Sequence, residues 1–463
     1  MLRTHTCGEL TINDLGKEVT LCGWVSARRD HGKLIFIDIR DRTGITQAVF
    51  IPKESPQSYE LAGCLRSEFV IKLKGKVNPR PKGTINPKIP TGEIEILSQE
   101  LEILNPSANL PFEISGNLEA GEEIRLKYRY LDLRRPEMLS NILLRHKLYQ
   151  VIRKFLDSGG FIEVETPILT KSTPEGARDF LVASRLNRGE FYALPQSPQL
   201  FKQLLMVSGL EKYFQIAKCF RDEDLRADRQ PEFTQLDMEL SFINEEDIFQ
   251  LSEMLFSAIF KELKGIQLKI PFRRLSYKEA IQAYQSDKPD LRKLSNEEFA
   301  FCWIIDFPLF KFNQEEKHWE SEHHPFTAPS MQDIHLLDKD QLNLVKARSY
   351  DLVLNGQEIA SGSIRIHDQG LQKKIFHILG LTEEEVKAKF GFLLEAFTYG
   401  APPHGGIAFG LDRLLAILVN CDSIRQVIAF PKTQKGICPL TGAPSEVTLK
   451  QLNELNLICK TNA

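Results

Sequence analysis

The sequence has no apolar run near the ~18 residues that a membrane-spanning helix needs. Leu414 to Val419 is short and stands beside charged positions. No apolar h-region follows the N-terminus, so no secretory signal is visible and a cytoplasmic location is the expectation. The eight cysteines, at 7, 22, 64, 219, 302, 421, 438 and 459, form no Cys-x-x-Cys pair and match no histidine spacing. Neither a zinc site nor a disulfide framework is therefore expected, only free thiols in a reducing compartment. A basic excess is missing too: the formal net charge is −3, so any nucleic-acid contact must use local patches. Low-complexity tracts and internal repeats are also absent. What is there is a 463-residue chain, 42% apolar and 26% charged, long enough for two or three domains with real cores.

Residues 1 to 104 read as short strands separated by turn signals: Val19–Val25, Leu34–Arg40, Ile45–Phe50, Phe69–Val77 and Glu93–Leu97. Five strands in that length predict a small closed barrel of the OB type. In the second strand Ile35, Ile37 and Ile39 face one way and put Phe36 on the other side, near Arg28, Arg29 and Lys33. From Arg66 to Pro90 there are seven Lys/Arg and one acid, Glu68. An outward aromatic within a basic window suits stacking of unpaired bases, although Phe36 could instead fill a second small core. Residues 105 to 135 read as a linker, rich in Pro, Ser, Gly and Asn up to about Glu123. Arg134-Arg135-Pro136 then opens an amphipathic helix that Gly159-Gly160 ends, and helices and strands mix to about residue 430 in an α+β pattern.

Residues 220 to 240 are the most informative stretch. A strand ending at Phe220 meets a charged loop holding Arg221, Arg226 and Arg229 among Asp222, Glu223, Asp224 and Asp228. In the strand that follows, Phe233, Gln235, Asp237 and Glu239 share one face and Leu236, Met238 and Leu240 the other. As structure alone this is a hairpin with a solvated tip. Cations beside an ordered polar face also suit a polyanion handled next to a small charged substrate.

Four further segments carry chemistry. Phe161–Glu165 runs as a strand into Thr166-Pro167, where a proline cannot continue a central ladder, and the loop Thr173 to Asp179 lies beyond it. Ser197 reads as an N-cap with Pro198 as first helical residue, so Gln199 and Lys202 share a helix face where a carboxylate could meet both dipole and cation. Asn355-Gly356 predicts a two-residue hairpin with Val353 opposite Glu358. Asp351 and Glu358 then share a face about 7–8 Å apart at the backbone, fit to hold a hard cation such as Mg²⁺ beside phosphates. Arg365 has the wrong parity for that face unless a bulge, expected near Ser361-Gly362, corrects it. Gly400 to Gly406 leads to Gly410-Leu411-Asp412-Arg413 at a helix start, where glycines admit a flat ligand and an arginine suits phosphate. His323-His324, a histidine pair in a loop, reads as surface.

Thr166-Pro167, the Phe-Arg-Asp-Glu run with its Arg-Gln-Pro-Glu-Phe-Thr continuation, and Gly-Leu-Asp-Arg resemble the three signature motifs of class II aminoacyl-tRNA synthetases. Thr-Pro-Glu-Gly-Ala-Arg-Asp, Gln-Ser-Pro-Gln-Leu-Phe-Lys-Gln and His-His-Pro-Phe-Thr narrow the likeness to bacterial-type aspartyl-tRNA synthetases, over nearly the whole chain. The resemblance implies an OB-fold anticodon domain (1–104), a linker or hinge (105–135), a catalytic domain on a mainly antiparallel sheet (136–430) and a C-terminal extension (431–463). It implies a homodimer with Pro167 at the interface, and aspartate activated by ATP with Mg²⁺ before transfer to tRNA. On the family pattern aspartate lies among Glu175, Ser197, Gln199, Lys202, Arg221, Asp237, His323 and Arg365. ATP would meet Arg221, Asp222, Glu223, Gln230, Phe233, Glu358, Gly410, Leu411, Asp412 and Arg413, and Mg²⁺ would sit on Asp351 and Glu358. Arg29, Phe36 and Gln47 would touch the anticodon, and Arg226 and Arg229 would greet the acceptor end.

Two points separate this chain from the usual pattern. Bacterial members carry a domain between the second and third motifs, and here Ser286–Arg292 runs within a few residues to Trp303, so that domain is missing near 292–300. In the barrel, His31 and Gly83 stand where small or imidazole-bearing residues go with charging of both aspartate and asparagine tRNAs. The expectation is a non-discriminating enzyme. The alternatives are a strictly tRNA-Asp-specific one, an asparaginyl or lysyl relative, a silent tRNA-binding paralogue, and a free amino-acid ligase.

Overall fold

The computed structural model describes residues 1–116, 120–173, 176–295, 297–339 and 341–459. The chain forms two compact units, Met1–Leu139 and Ser140–Ala463. No helix among the described residues is long and apolar enough to cross a membrane.

The first unit is a closed five-stranded barrel of β1 (Glu18–His31), β2 (Leu34–Arg40), β3 (Ile45–Phe50), β4 (Val70–Pro79) and β5 (Ile94–Asn105), in the order β1-β2-β3-β5-β4. Strand β1 runs well past the expected Val25 because it serves two partners: its first half pairs with β4 and its second with β2. A register shift between Val25 and Ala27 marks the change. Alternation sends Ile35, Ile37 and Ile39 into the barrel core and leaves Phe36 half-buried on the outside. The lysine face of β4 is less basic than it reads, since Lys72 and Lys74 pair with Glu102 and Glu100 of β5 at 3.1 and 3.3 Å. The stretch read as a linker carries two short helices, Glu122–Lys127 and Arg129–Asp132, over a small core of Phe112, Ile114 and Leu131.

The second unit is built on an eight-stranded sheet. Its strands are β6 (Ile162–Glu163), β9 (Lys212–Phe220), β10 (Glu232–Ser241), β11 (Arg273–Ser276), β12 (Phe301–Ile305), β15 (Ser349–Leu354), β16 (Gln357–Ile364) and β17 (His404–Gly410). They lie in the order β11-β12-β15-β16-β17-β10-β9-β6, antiparallel except for the edge pairs β11–β12 and β6–β9. Two small hairpins, β7–β8 (Leu181–Ala183, Phe191–Ala193) and β13–β14 (Phe310–Asn313, His318–Ser321), stand apart. The helix Pro136–Ser158 begins at the proline foreseen for its first turn and buries Leu148, Ile152 and Leu156 with Leu236, Met238 and Leu240 of β10. On the same side lies helix Glu245–Lys264, closed at its start by an Asn244–Asp247 capping box. One face of β10 is thus committed to the core, which leaves its polar residues to the other. Strand β6 is two residues long against the five expected, and Pro167 follows it in an exposed segment.

The β15–β16 hairpin sets the register of the site. Asn355 (φ 53°) and Gly356 (φ 81°) take the left-handed conformations of a two-residue turn, and Val353 pairs with Glu358 as the turn predicts. The parity correction for Arg365 is present but lies earlier than expected. Leu352 pairs with Ala360, so Ile359 is the extra residue, and Ser361, Ser363 and Arg365 return to the face of Asp351. Gly362 serves a different need: a side-chain carbon there would overlap the Gly406 carbonyl of β17 and the Tyr350 ring.

Candidate active site

A cavity of about 450 Å³ opens on the polar face of this sheet. Its walls come from the charged loop 221–231, β10, the hairpin β15–β16, the start of helix Gln199–Val207 and the start of helix Leu411–Leu418. Of the residues singled out in the sequence, Ser197, Gln199, Lys202, Arg221, Glu223, Gln230, Phe233, Asp237, His323, Glu358, Arg365, Gly410, Asp412 and Arg413 all line it. Asp222, Asp351 and Leu411 do not, and Glu175 lies outside the described residues.

At one end four charged side chains are almost completely removed from solvent. Lys202 Nζ stands 3.0 Å from Asp237 Oδ1 and 3.4 Å from Glu239 Oε2. Arg365 donates to both oxygens of Glu239, at 2.9 and 3.1 Å. Lys202 reaches this point because its helix starts beside the sheet; the N-cap is Pro198, one residue later than read, and Ser197 Oγ accepts from the Gln199 N–H. Such a cluster holds only if each charge has a partner. Two cations and two carboxylates are present, and a side-chain carbon at Gly406 would overlap Glu239 Oε2, so glycine there makes room for the clamp. One acceptor stays free: Asp237 Oδ2 is buried without a hydrogen-bond partner. Burial raises the Asp237 pKa, with Lys202 offsetting only part of it. Burial acts the same way on Glu239, but Arg365 and Lys202 outweigh it and hold that carboxyl below its ordinary value.

The two histidines are inside, not on the surface as a loop pair reads, and they titrate in opposite directions. Burial, then the Arg365 charge, drives His324 well below the ordinary value. Arg365 Nη1 donates to its Nε2 at 2.7 Å, which requires the uncharged ring. Burial also works against charge on His323, but Asp351, 3.4 Å from its Nε2, together with Glu322 and Glu358, raises it. Behind them Gln203 and His404, both buried, face each other at 3.2 Å.

The other end is open. Arg229, read as lying outside the site, forms part of the wall and pairs with Glu223 at 2.9 Å. Arg413 donates to the Glu358 carbonyl and lies 3.4 Å from Asp228 Oδ2. The Arg221 guanidinium lies over the Phe233 ring, 5.1 Å from its centre. Gln230 turns its amide to both backbone groups of Lys432, and Asp412 engages Arg145 and the Thr234 N–H, so both hold the walls in place. Glu358 pairs with Lys288 at 2.8 Å.

Glu239, His324 and Lys288 were assigned no role in the sequence. Glu239 had a signal, since it shares the alternating face of Asp237. His324 and Lys288 had none, because nothing local distinguishes a buried histidine pair or a lysine in a charged turn.

The barrel carries its own polar patch. Arg29 makes a two-pronged pair with Asp38 at 2.6 and 2.8 Å and donates to Gln47, whose amide donates to Glu95 at 2.9 Å. His31 ends β1 in an exposed position, and Gly83 sits in the β4–β5 loop at φ +86° with no neighbour within 4 Å of its missing side chain.

Comparison with known proteins agrees with both units. Residues 19–104 match the OB-fold nucleic acid binding domain, and residues 121–434 match the tRNA synthetases class II (D, K and N). An aspartate–tRNA(Asp/Asn) ligase of Dictyoglomus turgidum is 48% identical, across 99% of this chain and 98% of the relative. That of Thermodesulfovibrio yellowstonii is 46% identical, across 99% of each. The first alignment runs over 581 positions against 463 residues here, so the relative holds a stretch with no counterpart in this chain. Among solved structures, an asparaginyl-tRNA synthetase from Pyrococcus horikoshii complexed with asparaginyl-adenylate is similar, with a TM-score of 0.77, 26% identity and coverage of 94% of this chain and 99% of that one. The chain therefore belongs to the class II tRNA synthetases of the D, K and N group.

Proposed function

We propose that this enzyme condenses L-aspartate with ATP and passes the aspartyl group to the tRNAs for both aspartate and asparagine. The observation that carries the amino-acid assignment is the buried cluster of Lys202, Arg365, Asp237 and Glu239, neutral as it stands. Aspartate adds one ammonium, for the free oxygen of Asp237, and one side-chain carboxylate, for Lys202 and Arg365, so the cluster stays neutral. Asparagine adds the ammonium alone and leaves one buried positive charge uncompensated, at a cost of about 3–5 kcal/mol. Neutral His324 leaves that count unchanged, and Gln199 and His323 complete the wall around the substrate.

Arg221 faces both the α-carboxylate and the α-phosphate. An oxygen of that carboxylate attacks the α-phosphorus, the bond to the β-phosphate breaks and pyrophosphate leaves. No protein nucleophile is needed, so rate comes from alignment and charge stabilisation. Phe233 stacks on adenine, Arg413 and Glu223 face the nucleotide, and the backbone of Gly410 and Leu411 gives it close approach. Asp351 and Glu358 suit Mg²⁺: both are carboxylates on one face of the hairpin, and an ammonium, that of Lys288, already stands against Glu358. When bound, the ion would neutralise phosphate charge. In the second step a hydroxyl of the terminal ribose attacks the aspartyl carbonyl and AMP leaves.

The barrel, taken as residues 1–104, would read the anticodon with Arg29, Phe36 and Gln47, joined by a 105–135 hinge to catalytic residues 136–430 and a 431–463 extension. The stretch absent relative to its relatives falls near 292–300. Exposed Ile162, Ile168 and Leu169 flank Pro167 and suit a homodimer interface. The left-handed backbone at Gly83 would strain a lysine, which ties that loop shape to the dual-specificity pairing with His31. Aminoacylation of the two purified tRNAs tests the proposal. Both should be charged with aspartate; charging of only the aspartate tRNA removes the dual specificity, and charging of neither overturns the whole.

A further inference from the structure

One cation of the cavity has no part in the scheme above. Lys288 lies in the short connection between helix Tyr277–Tyr284 and the one-turn helix Arg292–Ser295, and its Nζ stands 2.8 Å from Glu358 Oε2. The backbone that carries it is firmly held. Ser286 Oγ accepts from the Lys288 N–H at 3.0 Å, Pro289 restricts the next peptide, and Leu291 is buried in the second core of this unit. Asp290 packs against Gly356 of the β15–β16 turn, so close that a side-chain carbon at Gly356 would come within 3.2 Å of Asp290 Cβ. The base is thus fixed to the hairpin that bears Asp351 and Glu358, while the side chain stays 41% exposed and free to swing.

Its surroundings give that freedom a use. Glu358 holds its ammonium at 2.8 Å, and the residue before it in the chain, Asp287, is a second carboxylate. Two other cations at this end are also docked on carboxylates, Arg229 on Glu223 and Arg413 on Asp228. MgATP brings about two uncompensated negative charges and a divalent ion that wants the oxygen Lys288 now covers. Both events push the ammonium off Glu358 and toward phosphate.

Resting on the ATP assignment made above, we propose that Lys288 is a phosphate-binding residue that stands in for the metal. Without nucleotide it neutralises Glu358; when MgATP arrives it exchanges that carboxylate for the oxygens of the departing pyrophosphate. A lysine suits the task, being a compact point charge on a flexible stem.

The test uses the full chain with Lys288→Met and Lys288→Arg. Mn²⁺ binding to the nucleotide-free protein is read by electron paramagnetic resonance, MgATP binding by calorimetry, and thermal midpoints control for folding. Lys288→Met should bind Mn²⁺ several-fold more tightly, since its competitor is gone. It should bind MgATP about tenfold more weakly, the size of one charge-assisted hydrogen bond. Lys288→Arg should recover most of the MgATP affinity. An unchanged or weaker Mn²⁺ affinity, or an unchanged MgATP affinity, overturns the proposal. Aspartate-dependent pyrophosphate exchange by the unaltered protein separates the two levels: if that fails, the reading of the site fails; if it succeeds, only the role of Lys288 is in question.

Discussion

The two ends of the cavity solve opposite problems with the same residue types. At the amino-acid end Lys202, Arg365, Asp237 and Glu239 are each at most 2% exposed at the side chain and locked together. At the nucleotide end Arg229, Arg413 and Lys288 are 47%, 28% and 41% exposed, each on a single carboxylate. Burial makes the first set costly to alter and selective by charge count. Exposure makes the second set cheap to rearrange, which suits a large polyanion that must enter, react and leave in pieces. On the proposed assignment, one end would discriminate because it is buried and locked, and the other would turn over because it is exposed.

The largest effect should come from removing one partner of the rigid end. Glu239→Ala leaves Arg365 buried without its carboxylate, and urea unfolding should show a loss of about 3–5 kcal/mol. A smaller effect is expected from Gly406→Ala, whose added carbon pushes on Glu239 Oε2 and the Met238 carbonyl; overpacking of this kind costs about 1–3 kcal/mol. If that variant keeps its stability, the clamp is less tightly held than described. Arg413→Ala reverses the pattern. Stability should move by no more than about 1 kcal/mol, as for exposed pairs, while the KM for ATP rises. A large stability loss there would erase the distinction between the ends.

The smallest effect is pH dependence at His324. Its folded pKa lies well below its unfolded value, so below about pH 6.5 the unfolded chain takes up a proton that the folded one refuses. That contribution to stability is present above the unfolded pKa and is lost as pH falls. Thermal midpoints between pH 7.5 and 5.5 should therefore drop less steeply in His324→Asn than in the unaltered protein.

Much of this contrast was legible in the sequence, and what was not has a physical reason. The Asn355-Gly356 turn specifies a register, so Val353 opposite Glu358 could be read directly. Alternation in 232–241 placed Asp237 and Glu239 on one face. The position of the bulge could not be read, because Gly362 looks like a bulge residue yet is small for the sake of Gly406 and Tyr350, partners distant in sequence. The histidines His324 and His323 meet Arg365 and Asp351, forty-one and twenty-eight residues away, and no local rule reports those contacts. Lys288 lies in a charged turn, and its link to the site, the contact with Glu358, spans seventy residues of sequence. Gln230 and Asp412 carry motif positions whose side chains prove to brace the walls.

The charge count at the rigid end is the centre of this account, and pyrophosphate exchange measures it most directly. Exchange by the unaltered protein, followed with aspartate and with asparagine at saturating MgATP, gives kcat/KM for each. A buried uncompensated charge of 3–5 kcal/mol predicts a preference for aspartate of at least about 100-fold. Rates within tenfold of each other would show that Lys202 and Arg365 do not read the side-chain carboxylate, and would contradict the account.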